Sequence, residues 1–354
     1  MQTLSPAVSL NSAAAPAVPG RRLAFSQLAI AACVLALCVV VLGAYVRLSH
    51  AGLGCPDWPG CYGHLDVPES VRHIEAANAA WPDRPVEPEK AWKEMIHRYA
   101  AGTLGLLILA LAVSAWRRRH EPGQMLALPL ALVALVLFQA LLGMWTVTLL
   151  LKPLIVLGHL LGGLATLGLL FWLALRQSGW QPRPAEAERR RLGGWALLAL
   201  VVLIVQIALG GWTSTNYAAL ACPDLPTCQG RWWPPTDFAD AYLPWRGLGI
   251  NYEGGVLDNE ARMTIHVMHR VGALLALAVL GALAWRLARS LDAGLRRGGW
   301  LLFAALVAQL LLGFGNVLLS LPLPVAVAHN AGAAVLLLVV LGLNHLLHPR
   351  RLPA

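Results

Sequence analysis

The chain has 354 residues, 58% of them hydrophobic and only 13% charged, with a formal net charge of +9 and a mean hydropathy of +0.62. That balance excludes a water-soluble globule, which carries about twice the charge fraction, and excludes disorder, which needs low hydrophobicity and high charge. A membrane-spanning helix takes about 20 apolar residues at 1.5 Å rise each, so this length holds about eight spans plus loops.

Taken in chain order, residues 1–22 contain no acid and much Ala, Ser and Pro, and are predicted to be a disordered tail. Apolar runs follow at roughly 24–46, 95–115, 125–150, 153–175, 193–213, 264–285, 298–320 and 324–347. They predict eight helices, with tight turns at Lys152–Pro153 and at Leu321–Pro324. Two long loops, 48–93 and 214–262, are rich in Pro, Trp and acids, which suits a folded cap over a helix bundle. Sixteen of the 27 basic residues fall at the termini and in the three loops on the opposite side, while 14 of the 18 acids fall on the side of the long loops. Basic residues stay cytoplasmic, so both termini are expected in the cytoplasm. The positive charge then marks topology and is no nucleic-acid footprint. Membrane lipid is the expected surrounding, and the sequence is also compatible with a homo-oligomer.

The two halves repeat. Cys55-Pro56-Asp57-Trp58-Pro59-Gly60-Cys61 recurs as Cys222-Pro223-Asp224-Leu225-Pro226-Thr227-Cys228, 167 residues later. His97-Arg98 recurs as His269-Arg270, 172 residues later. Gln139, Gly143 and His159 recur as Gln309, Gly313 and His329, 170 residues later. The predicted fold is therefore an all-α membrane protein of eight transmembrane helices in two tandem four-helix bundles, related by a pseudo-two-fold axis along the membrane normal. The expected division is a tail at 1–22, an N-terminal half at 23–180, a linker at 181–192, a C-terminal half at 193–347 and a tail at 348–354.

His97, His159, His269 and His329 are predicted near the outer ends of the second, fourth, sixth and eighth spans. An ionisable residue inside a span is costly and marks function. Two imidazoles per half under-coordinate a structural zinc, which takes four protein ligands. They match the two axial positions of a haem, which brings its own four nitrogens. Each half is thus predicted to clasp one haem between its second and fourth helices. Ala100, Gly102, Gly162, Gly163, Gly272, Ala273, Gly332 and Ala333 lie nearby, and small residues there admit a flat macrocycle, although they also favour plain helix packing. Arg98 and Arg270 either snorkel to the interface or pair with haem propionates, and their repetition with the histidines favours propionates. Glu94 stands one turn before His97, where its counterpart is His266. It can act on a proton or a developing cation, or start the helix in the favourable dipole. This asymmetry suggests a reactive first half and an electron-relay second half, with His266 a proton or hydrogen-bond partner in the relay.

Each outward Cys pair, Cys55/Cys61 and Cys222/Cys228, is expected to be an intraloop disulfide on the oxidising side. Whether these are structural clips or redox-active pairs stays open at this level. Cys33 and Cys38 read as small hydrophobes within the first span. His50, His64 and His73 read as surface residues.

The segments AYVRLSHAGLGCPDWPGCYG, EMIHRYAAG, GHLLGG, IHVMHRVGA and AHNAGAA resemble those of the haem A synthases, over residues 25–346. The resemblance implies oxidation of the C8 methyl of haem O to the formyl of haem A by successive hydroxylations, for cytochrome oxidase. It implies a substrate haem at His97 and His159 with Glu94 catalytic, a resident haem b at His269 and His329, and the loop disulfides of the cysteine-bearing bacterial branch. It also implies a bacterial inner-membrane location with the Cys loops and haem sites toward the periplasm. The implied partners are the farnesyltransferase that makes haem O and cytochrome oxidase assembly factors. From residues alone, a dihaem b-type electron-transfer cytochrome and a membrane thiol–disulfide oxidase remain alternatives.

Overall fold

The computed structural model describes residues 19–121, 123–178 and 184–348. The predicted tails (1–22 and 348–354) and the start of the linker lie largely outside this set. The helices are α1 (Pro19–Leu48), α2 (Val71–Ala80), α3 (Pro88–Arg117), α4 (Ala127–Thr148), α5 (Pro153–Gln177), α6 (Glu186–Thr215), α7 (Phe238–Ala241), α8 (Asn259–Ala288), α9 (Ala293–Leu318) and α10 (Leu323–Leu347). Eight of them are long and apolar enough to cross a membrane. Among the described residues there is no strand, only isolated bridges at Cys61/His64 and Cys228/Arg231. The molecule is an all-helical, multi-pass membrane protein.

Several spans start earlier than hydropathy suggested, among them α3 at Pro88 where the apolar run starts near 95, α6 at Glu186, α8 at Asn259 and α9 at Ala293. Start signals explain the difference. Pro88 sits in the first turn of α3, a position that needs no N–H donor. Asp258 caps α8 by accepting the Ala261 amide, and Glu186 and Glu188 occupy the first turn of α6, where carboxylates favour the helix dipole. The linker expected over 181–192 is consequently helical from Glu186. The short loop helices α2 and α7 were not predicted. α2 is started by the Ser70 side chain, which accepts the His73 amide.

In the first half α1 packs on α3 and α5, and α4 packs on α3 and α5. In the second half α6 packs on α8 and α10, and α9 packs on α8 and α10. The histidine-bearing helices, α3 with α5 and α8 with α10, are therefore diagonal neighbours, with no Cα pair closer than 8 Å across either diagonal. The halves meet through α1 on α10, α5 on α6, and α5 on α10. One hydrophobic core runs through both, from Phe25 and Leu111 to Leu283 and Leu343. Arg47 donates to the Ser214 carbonyl at 2.8 Å, and His50 stacks on Tyr217 at 6.0 Å. Each of these pairs joins counterparts under the 167-residue offset, a pattern compatible with a pseudo-two-fold relation between the halves. The turns after α4 and α9 also match: Leu150 and Leu151 have φ of 54° and 59°, and Ser320 and Leu321 have 58° and 61°.

Large apolar side chains such as Leu106, Leu137, Leu274 and Leu311 face outward on the spans, as hydrocarbon solvent allows. Inside, packing is close. A Cβ at Gly299 of α9 would lie 2.6 Å from the Ala288 amide nitrogen and 2.9 Å from the Ala284 carbonyl oxygen of α8, whereas one at Gly194 would meet nothing within 4 Å. Backbone cannot yield as a side-chain tip does, so Gly299→Leu is expected to destabilise the detergent-solubilised protein by about 1–3 kcal/mol. Gly194→Leu is expected to leave its thermal unfolding curve unchanged.

Candidate haem-binding site

The two cysteine loops are built alike. The Cys55–Cys61 and Cys222–Cys228 disulfides are both formed, and their sulfurs are buried. Burial shields them from attacking thiols and favours the structural reading, since labile bridges are exposed ones. Sequence reasoning missed the residue that organises each loop. Asp57 accepts the Tyr62 and Gly63 amides at 2.7 and 2.8 Å, and Asp224 accepts those of Gln229 and Gly230 at 2.6 and 3.0 Å. Gly63 and Gly230 have φ of 78° and 74°, the left-handed region glycine enters without strain. The repeated Cys-Pro-Asp triplet was the available signal.

Beneath the loops, Arg98 and Arg270 reach upward. Arg98 donates to the carbonyls of Pro59 and Gly60 and pairs with Glu94. Arg270 donates to the carbonyls of Thr227 and Cys222, both at 2.8 Å. Both arginines fasten the loops: the carbonyls of a disulfide-closed loop face inward and need donors, and the arginines supply them. Glu94 is buried, and its other oxygen accepts the Cys55 amide at 2.9 Å. Its counterpart His266 donates Nδ1–H to the Ala218 carbonyl, 3.0 Å away. Both residues tie cap to helix, with opposite hydrogen-bond polarity. His64 and His73 stack on each other at 5.0 Å on the cap, away from the spans, as expected of surface residues.

The four histidines lie on α3, α5, α8 and α10. His97 and His159 are within electrostatic reach of each other, and so are His269 and His329. All four are only half-buried although they sit within spans. Each ring rests against a glycine of the neighbouring helix. A Cβ at Gly43, Gly143, Gly210 or Gly313 would lie 3.0, 3.4, 3.0 or 3.3 Å from Cε1 of His97, His159, His269 or His329, respectively. The rings thus lean back, leaving the space between the diagonal helices open.

The Nδ1 atoms of His97 and His159 are buried without a partner, while their Nε2 atoms are not sealed off. Among the described residues no three His, Cys, Asp or Glu side chains converge on a common point. Two facing imidazoles suit an iron that carries its own equatorial nitrogens. In the first half both Nε2 atoms are without a hydrogen-bond partner among the described residues, and in the second the Gln309 amide nitrogen lies 3.4 Å from His329 Nε2 and must yield that side of the ring to a metal. The residues therefore fit a haem in each half. The glycines expected to admit the macrocycle fall into two groups. Gly102 is exposed with open space beside it, whereas Gly162, Gly272 and Gly332 receive the side chains of Gln139, Gln206 and Gln309 from the adjacent helix.

A family model described as Cytochrome oxidase assembly protein (COX15-CtaA) matches residues 26–341. The chain belongs to this family. Relatives within it include a heme A synthase of Shewanella oneidensis, 49% identical over 314 residues that cover 89% of this chain and 94% of that protein. A heme A synthase of Caulobacter vibrioides is 30% identical, covering 85% and 89%, and one of Sphingopyxis alaskensis is 29% identical, covering 98% of both chains.

The exposed Asp224 carboxyl is held down to about 2, chiefly by the Thr227 hydroxyl and then by the Gly230 amide. A depressed carboxyl contributes to loop order above its ordinary value and loses that contribution as pH falls through the folded value. With the intrinsic pH dependence of exchange divided out, the deuterium-exchange protection of residues 222–231 is expected to hold above the ordinary value of 3.8 and to fall progressively between there and about 2. Asp224→Asn is expected to lower that protection at neutral pH.

Proposed function

We propose that this chain is a haem A synthase, an oxidoreductase that converts the C8 methyl of haem O to the formyl of haem A by successive hydroxylations. The observation that carries the reading is the pairing of His97 with His159 and of His269 with His329 across open diagonals, in a chain 49% identical to a heme A synthase. The dihaem cytochrome shares the histidines but not that relationship. The thiol–disulfide oxidase is disfavoured by the burial of all four loop cysteines.

In this reading haem O, the substrate, is held by His97 and His159, and a resident haem b by His269 and His329. The bound haem b supplies one-electron redox chemistry. The imidazoles would supply the protein ligands to iron, and the glycines behind them set how far each ring leans back. The caps, fastened by Arg98 and Arg270, close the outer end. Glu94 is the acid–base candidate. Its carboxylate is engaged by Arg98 and the Cys55 amide, so a proton at Glu94 must come with release of one of these partners. The cytoplasmic placement of both termini and the periplasmic placement of caps and haem sites rest on the basic-residue asymmetry. A farnesyltransferase must supply the substrate, and cytochrome oxidase assembly receives the product.

Extraction and chromatography of the haems from the purified protein is expected to yield haem b together with haem O or haem A. Two haems b at fixed occupancy would overturn the assignment in favour of an electron-transfer cytochrome. Glu94→Gln keeps the hydrogen bond to the Cys55 amide in reach but removes the titratable group. It is expected to retain bound haem while lowering haem A formation at least about 100-fold, the usual worth of a positioned acid–base group. Undiminished haem A in that variant would restrict Glu94 to fastening the cap.

A further inference from the structure

Each histidine corner has the same parts: a glycine on the neighbouring helix behind the ring, the residue four before that glycine, and the residue three after the histidine. Three corners read Gln139/Gly143 with His159/Gly162, Gln206/Gly210 with His269/Gly272, and Gln309/Gly313 with His329/Gly332. The fourth reads Val39/Gly43 with His97/Ala100. In the second half the glutamines grip. Gln206 Nε2 lies 3.1 Å from both Nδ1 and the carbonyl oxygen of His269. Gln309 Nε2 lies 3.3 Å from Nδ1 and 3.0 Å from the carbonyl oxygen of His329. One amide thus bridges the ring and backbone of the same residue. In the first half neither ring nitrogen Nδ1 has a partner. The Gln139 side-chain amide lies over Gly162 and has no hydrogen-bond partner, only the backbone of Gln139 approaching His159. The His97 corner has no amide to offer, since Val39 and Ala100 stand where Gln and Gly stand elsewhere.

The substitutions at the fourth corner are paired, which is what a lost contact requires. Gln206 fits because Gly272 has no Cβ in its path; with Ala100 the space closes, and with Val39 nothing needs it. The clamping amides also carry a spare acceptor: Oε1 of Gln206 and of Gln309 is buried and unpartnered. An imidazole that ligates iron through Nε2 carries its proton on Nδ1 and needs an acceptor there. Gln206 holds the histidine through its Nε2 bond to the His269 carbonyl, and its Oε1 accepts the Nδ1 proton when the amide turns about its last bond and gives that backbone bond up.

Resting on the reading under Proposed function, we infer that Gln206 and Gln309 are positioning residues that lock the axial histidines of the second half and so make its haem resident, and that the unclamped His97 is the ligand that lets the first-half haem exchange. The difference between retaining and releasing a haem lies in two side chains behind one ring.

Two reciprocal variants of the full-length protein test this, with haem transfer to apomyoglobin and carbon monoxide binding to the dithionite-reduced protein as readouts. Gln206→Val/Gly272→Ala is expected to speed release of the second-half haem about tenfold, the lower end of what loss of an outer-shell partner does, and to make it bind carbon monoxide. Val39→Gln/Ala100→Gly is expected to slow first-half release by a similar factor. Gln206→Glu, which keeps shape and acceptor, is expected to keep slow release and lower the midpoint potential of the second-half haem, a shift that lost packing alone does not produce. Should the double variant fail to fold, Gln206→Val alone carries the same expectation. Unchanged release and no carbon monoxide binding in the Gln206 variants overturn the clamp. Haem content unaffected by His269→Ala overturns the site assignment itself, whereas haem lost in His269→Ala but unmoved in the Gln206 variants overturns the clamp alone.

Discussion

Imidazole nitrogens inside a bilayer-spanning bundle have no water to turn to, so each must find a protein partner or a ligand. Four of them face the two diagonals of this molecule, and much of the architecture follows from keeping those diagonals open. α3 and α5 are spaced apart by α1 and α4, and α8 and α10 by α6 and α9. Glycines on the spacer helices let the rings lean back. Had the diagonals collapsed into an ordinary apolar core, the unpartnered nitrogens would have been sealed in hydrocarbon at a cost of roughly 1–3 kcal/mol each.

The same constraint explains why the outer ends are so heavily tied. Loops closed by a disulfide between cysteines at a sequence separation of 6 point carbonyls inward, and Arg98 and Arg270 rise from the histidine helices to meet them. Cap and ligand helix are thereby one mechanical unit in each half. Glu94 and His266 add the second fastening from the same helix turn. A carboxylate in one copy and an imidazole in the other keep the tie while exchanging acceptor for donor.

Duplication supplied the scaffold twice, and the differences lie at few positions. Three corners keep Gln and Gly around the histidine, and the fourth changed both together. Close packing at Gly272, Gly162 and Gly332 couples the two positions, so the glycine has no room for a side chain while the glutamine stays.

The sequence by itself determined the spans, the duplication, the cysteine pairing, the four histidines and the family, because hydropathy, charge asymmetry and repeat spacing are properties of the chain read along its length. It also held the Gln and Gly repeats, although Gln206 could not be recognised, since its counterpart Val39 breaks the pattern. Only the tertiary structure decided what each polar side chain touches. Arg98 and Arg270 bind loop carbonyls, Glu94 is held by Arg98 and Cys55, and Gly162, Gly272 and Gly332 make room for glutamines. Helix ends also moved outward, because caps and first-turn charges carry a helix past its apolar run. The physical reason is common to all of these: a partner across a helix interface depends on how far each helix is rotated and where a distant loop folds back, and neither is encoded in local periodicity.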